Sequence, residues 1–194
     1  MEERIYGTSQ QYSEYYRARN MSDNNAKGQA MKRLAESGFA PAEYWMATAY
    51  LNDCAKRYGF KSDNSMDFSD HPFARTPDYV TGVKWAKKAA DHKYVYAYKE
   101  LGSAYKIGKG VRQNYNEALK WYFKAVDEYE YVDEDIEDKT AILADFLAFV
   151  SNVYCDMRDF ADARKYSKLA IKTYPDSDLA QLSVGYIDIA MGRR

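Results

Sequence analysis

Two cysteines, two histidines and four prolines in 194 residues leave this chain short of several common kinds of chemistry. Cys54 and Cys155 lie far apart and neither belongs to a CxxC pair, so no disulfide framework or zinc site is suggested. Two unpaired cysteines fit a reducing compartment. No segment approaches 18 uncharged apolar residues; the best run, residues 142–150, is short and contains Asp145. The start, Met-Glu-Glu-Arg-Ile, lacks the basic-then-apolar order of a signal peptide. The expected location is cytoplasmic, or periplasmic or secreted if a leader has been removed. A net charge of -1 lacks the basic field of a general nucleic-acid binder.

Catalytic signatures are equally scarce. There is no nucleophile elbow, phosphate loop or HExxH. Gly108-Lys109-Gly110 has no strand before it and no Lys-Ser/Thr after it, so it is not a phosphate cradle. His71 lies with Asp63, Asp67 and Asp70 at spacings that match no metal-ligand motif. His92 occupies a turn and reads as a surface residue. Eight acidic residues crowd residues 127–138, but a run without a pocket assigns no carboxylate to acid–base work. No catalytic residue, metal or cofactor is expected.

Apolar material and tyrosine are abundant. The apolar share is 46%, yet mean hydropathy is -0.69, so the chain is strongly amphipathic. Twenty tyrosines suit half-buried positions, where a ring packs and a hydroxyl stays wet. Charge is unevenly spread: residues 84–124 hold ten Lys/Arg against three Asp/Glu, just before the acidic run. Such runs are most often solvated faces or loops. Apolar spacing is helical throughout, and Pro41, Pro72, Pro77 and Pro175 sit at expected boundaries.

A register also repeats. Tyr79, Trp85 and Ala89 recur 36 positions later as Tyr115, Trp121 and Ala125. A period of this length marks a solenoid, whose units bury their apolar faces against neighbours. In the clearest unit, Ala97, Leu101, Gly102 and Tyr105 line a first helix. Residues 108–111 turn the chain, and Asn114 caps a second helix lined by Tyr115, Ala118, Tyr122 and Ala125. Gly102 is the expected point of close helix approach.

The pattern Ala97-x3-Leu101-Gly102-x2-Tyr105-x2-Gly108-x-Gly110-Val111-x3-Tyr115-x2-Ala118-x2-Trp121-Tyr122-x-Lys124-Ala125 resembles the Sel1-like repeat, a relative of the tetratricopeptide repeat. An earlier unit, residues 40–92, starts with Ala42, Met46, Ala47 and Tyr50 and carries an insertion at 58–76. A later one, 141–175, follows tetratricopeptide spacing through Val150, Ser151, Tyr154, Phe160, Ala163, Ala170 and Pro175. Residues 5–37 read as an N-terminal helical hairpin and 95–126 as the second Sel1-like unit. Residues 178–191 read as a capping helix in which Leu179, Leu182, Val184 and Ile187 seal the end.

The resemblance implies an all-α, right-handed α-solenoid over residues 1–194. It also implies a non-catalytic, bacterial protein–protein interaction module or adaptor. First helices of this family line a concave face. The residues there that point away from the core are Tyr44, Thr48, Tyr96, Lys99, Ser103, Lys106, Asp145, Ala148 and Asn152. With lysines at its centre, that face suits a protein or peptide partner of acidic character, with no nucleic acid and no membrane span. Phe68 and Phe73, in an insertion too apolar for a plain linker, are the second candidate contact. By analogy, two alternatives are a cognate inhibitor or immunity protein of a bacterial toxin and a small-molecule or glycan-processing enzyme.

Overall fold

In a computed structural model the described residues are 6–52, 54, 57, 77–131 and 139–192; Phe68, Phe73 and His71, singled out in the sequence, lie outside them. The described residues form nine α-helices and one short 3-10 turn. They divide into two compact units, Met1–Gln113 and Asn114–Arg194.

The first unit holds α1 (Ser9–Arg19), α2 (Asn24–Glu36), α3 (Ala40–Leu51), α4 (Pro77–Asp91) and α5 (Val95–Ile107). Local chemistry sets the helix starts. Thr8 and Gln11 form a reciprocal capping box on α1. Asp23 accepts from the Asn25 and Ala26 amides at 2.8 and 3.0 Å to open α2. Pro41 lies in the first turn of α3, where its missing N–H costs nothing. Each helix packs on its neighbour in the chain, and α3 also touches α5. Phe39, Met31, Met46, Tyr98 and Leu101 are wholly buried at the centre.

Gly82 and Gly110 are two points of close packing here. A Cβ on Gly82 would lie 2.7 Å from Leu51 Cγ and 3.1 Å from the Leu51 amide nitrogen, so α3 and α4 cross almost in contact. Gly102 is buried on α5, as its repeat position implied. The expected turn ends α5 as read from the sequence: Gly108 adopts the left-handed conformation (φ 71°), and the Lys109 amide donates to the Ala104 carbonyl at 2.9 Å. Gly110 is left-handed too, and a Cβ there would stand 2.3 Å from the Tyr79 carbonyl oxygen. His92 is exposed as expected, but its Nδ1 lies 2.8 Å from Oε2 of Glu43, whose side chain is only 3% exposed. The histidine is thus the lid on a buried carboxylate as well as a surface residue.

The second unit holds α6 (Tyr115–Asp127), the 3-10 turn Tyr129–Tyr131, α7 (Lys139–Asp156), α8 (Phe160–Thr173) and α9 (Asp178–Ala190). Asn114 caps α6 through the Glu117 amide at 3.2 Å. Ala118, Leu119, Tyr122 and Ala125 form its buried stripe, and Tyr122 stacks on Phe149 of α7 with centroids 5.3 Å apart. The turn between α7 and α8 uses Arg158 at positive φ and Asp159 as cap. Ser151 donates to the Ala163 carbonyl at 2.8 Å, so a buried hydroxyl is satisfied where α7 meets α8.

Two expectations change in this unit. Ala148 is fully buried against Ala170 and Ala180, so it belongs to the core and not to a binding face. The seal by α9 is partial. Ile187 is buried and Leu179 packs on the core, but Leu182 is 68% exposed and Val184 is also open. The register explains this: Ala180, Ser183 and Ile187 take the inward face, which turns Leu182 to the opposite side.

Candidate functional site: a tyrosine face on α3 and α5

Tyr44 projects from α3, and Tyr94 and Tyr96 flank the start of α5. Their rings meet pairwise, with centroids 5.3 Å apart for Tyr44–Tyr94, 6.1 Å for Tyr44–Tyr96 and 5.5 Å for Tyr94–Tyr96. Tyr6 extends the cluster edge-on to Tyr94 at 4.9 Å, and its hydroxyl donates to the Lys93 carbonyl at 3.4 Å. Tyr15 of α1 approaches from the other side, packed on Phe39.

Glu100 lies among these rings, one turn past Tyr96, and accepts a hydrogen bond from the Tyr44 hydroxyl. Burial pushes the Glu100 carboxyl above its ordinary value; Lys99, Lys109 and the Tyr44 bond oppose that rise without cancelling it. The Tyr44 phenol is pushed well above its ordinary value, by burial first and then by the Glu100 charge and the Tyr96 and Tyr15 phenols. The pair is therefore a neutral phenol donor bonded to a partly desolvated acid. Lys109 lies over the Tyr79 ring, its Nζ 4.5 Å from the centroid.

A raised carboxyl sets the sign of a pH effect. Folding favours the protonated form of Glu100, so its contribution is fully present below the ordinary pKa of 4.5 and is lost as pH rises through the folded-state value. Glu100→Gln keeps an acceptor for Tyr44 and removes the buried charge. The expected result at pH 7 is a melting temperature raised by about 2 °C or more. The gain should shrink toward pH 4. Calorimetry showing a variant equally destabilised at both pH values would contradict this reading.

Six of the expected contact residues fall on α3 and α5. Tyr44 and Tyr96 are in the cluster, and Lys99 is exposed beside Glu100. Ser103 and Lys106 are half-buried further along α5. Thr48 spends its hydroxyl on the Trp45 carbonyl of its own helix, at 2.9 Å. Asn152 belongs to α7 in the second unit. Its Oδ1 is buried and has no hydrogen-bond partner among the described residues. Asp145, also in that unit, accepts from Ser177 at 2.8 Å and so anchors the cap of α9. No cluster of metal-ligating side chains occurs among the described residues, and none of their helices is long and apolar enough to cross a membrane.

Glu100, Tyr94 and Tyr15 were absent from the expected face. Glu100 was accessible to helix counting, since it follows Tyr96 by four positions. Tyr15 was not, because only the packing of α1 brings it near.

No family model matches the chain, and neither does any curated protein. Among solved structures, the chain is similar to a Sel1 repeat protein from Oxalobacter formigenes, with a TM-score of 0.56 and 19% identity over 94% of this chain and 73% of that one. The likeness shows the fold, a Sel1-like helical solenoid of helices packed in neighbouring pairs.

Proposed function

We propose that this chain is a non-catalytic protein-interaction module whose α3–α5 face holds a peptide or protein segment. The observation that carries the reading is the Tyr44–Glu100 pair: an acid hydrogen-bonded and partly buried among tyrosine rings, on a face that also presents the exposed Lys99. Tyrosines supply large, rigid contact area at low entropic cost. Glu100 is an acceptor for a partner's amide or ammonium, and Lys99 and Lys106 suit a neighbouring acidic group. The repeat fold supports the same reading, since its first helices present side chains in a row. Asn152, with its buried amide oxygen unsatisfied, is a separate candidate contact on the second unit.

The test is affinity capture of partners from native lysate by wild type and by a Tyr44→Ala, Lys99→Glu variant, with melting temperatures recorded for both. A partner retained by wild type and reduced at least about tenfold by a folded variant is the expected result, the loss of roughly 1.4 kcal/mol of binding. A partner held equally by both would move the site off this face.

A further inference from the structure

A cavity of about 290 Å³ opens between α8 and α9 in the second unit. Arg164, Ser167 and Lys168 line it from α8, and Val184, Ile187 and Asp188 from α9. Helical spacing groups the residues on each wall: positions 164 and 168, like 184 and 188, lie one turn apart on their helices. Ile187 and Ser167 are buried, and the Ser167 hydroxyl accepts from Ser183 at 3.0 Å.

The charges around this cavity are not matched to one another. Arg164 is half-buried, yet its guanidinium donates to the Met191 thioether, at 2.9 Å, and forms no ion pair among the described residues. A thioether is a weak acceptor, whereas a guanidinium carries five donors in a fork that suits oxyanions. The half-buried Asp188 and the exposed Lys168 line the same cavity, and neither forms an ion pair among the described residues. The ion pairs on the helices of this unit are instead Lys120 with Glu117 and Lys165 with Asp162. Two cations and one acid thus surround a space without closing on each other.

That set of charges selects an occupant. Arg164 and Lys168 attract an oxyanion, the guanidinium through paired bonds and the ammonium as a point charge. Asp188 repels a fully ionised oxyanion such as sulfate, because a carboxylate only accepts hydrogen bonds. A phosphate group is different, since its last proton leaves only at about pH 6 or above. It can donate that proton's hydrogen bond to Asp188 while its other oxygens accept from Arg164 and Lys168. A carboxylate ligand has no such donor at neutral pH. The volume lies at the lower end of the roughly 300–1,000 Å³ of small-molecule sites, which suits one small group.

We propose that the α8–α9 cavity binds a singly protonated phosphate group, held by Arg164 and Lys168 and distinguished from sulfate by Asp188.

Amide NMR of the full chain at pH 6, titrated with sodium phosphate at constant ionic strength, tests this. Saturable shifts at Arg164, Lys168 and Asp188 are expected, with a dissociation constant on the order of 1 mM, and sulfate should bind at least about tenfold more weakly. Arg164→Gln should weaken phosphate at least about tenfold. Asp188→Asn has an effect that lost packing would not produce: sulfate gains relative to phosphate and the preference collapses. Circular dichroism would verify that both variants fold. O-phosphoserine separates the two sources of the group. Binding equal to that of phosphate assigns the site to a phosphate ester on a larger molecule, and binding of free phosphate alone assigns it to the inorganic ion. No saturable shift up to about 50 mM phosphate, sulfate bound as tightly as phosphate, or a preference unchanged in Asp188→Asn would each overturn the proposal.

Discussion

Gly110→Ala is expected to destabilise the first unit by about 3 kcal/mol or more, measured as a shift in denaturant midpoint at unchanged slope. Two costs add. The left-handed backbone at φ 72° penalises any Cβ by about 1–2 kcal/mol. The new methyl would also stand 2.3 Å from the Tyr79 carbonyl oxygen and 2.9 Å from the Val80 nitrogen, and backbone atoms cannot swing aside like a side chain. Gly108→Ala is the internal comparison. It has nearly the same φ, but the nearest atom to its Cβ is Gln113 Cβ at 3.3 Å, so the second cost is much smaller there. Equal losses at the two glycines would show that the close approach to α4 carries no energetic weight.

Tyr122→Ala should cost the second unit about 3–5 kcal/mol, the range for deleting a large buried ring. Tyr122 is 2% exposed and stacks nearly parallel on Phe149, so truncation opens a cavity between α6 and α7. Tyr122→Phe keeps the ring and should cost much less. Comparable losses from the two variants would assign the effect to the hydroxyl instead of the packing.

The repeat pattern was legible where it depends on local geometry. Gly108, Asn114 and the Ala118–Tyr122–Ala125 stripe are read from spacing alone, because turns, caps and helical faces are set by residues a few positions apart. The errors arose where tertiary packing chooses between faces. Ala148 is equally at home on a groove or in a core, and only the approach of α8 and α9 decides for the core. Leu182 looks like a sealing residue until Ala180, Ser183 and Ile187 claim the inward face. On the tyrosine face, the positions of Tyr44, Tyr96 and Lys99 follow from repeat register, whereas the buried acid of the Glu43–His92 pair joins residues 49 positions apart and leaves no local trace.

Most packing in this molecule joins helices adjacent in the chain, or next but one. Chains built this way acquire structure quickly, because little loop entropy is spent before contacts form. The bond from Tyr6 to Lys93 is different: it spans 87 positions and ties the described start of the first unit to the turn before its last helix, beside Tyr94, Tyr44 and Tyr96. Such a closure comes late on the folding path and is an early loss on unfolding. The tyrosine face is therefore completed only once the first unit has closed, so a nascent chain assembles this face after the scaffold beneath it is sound.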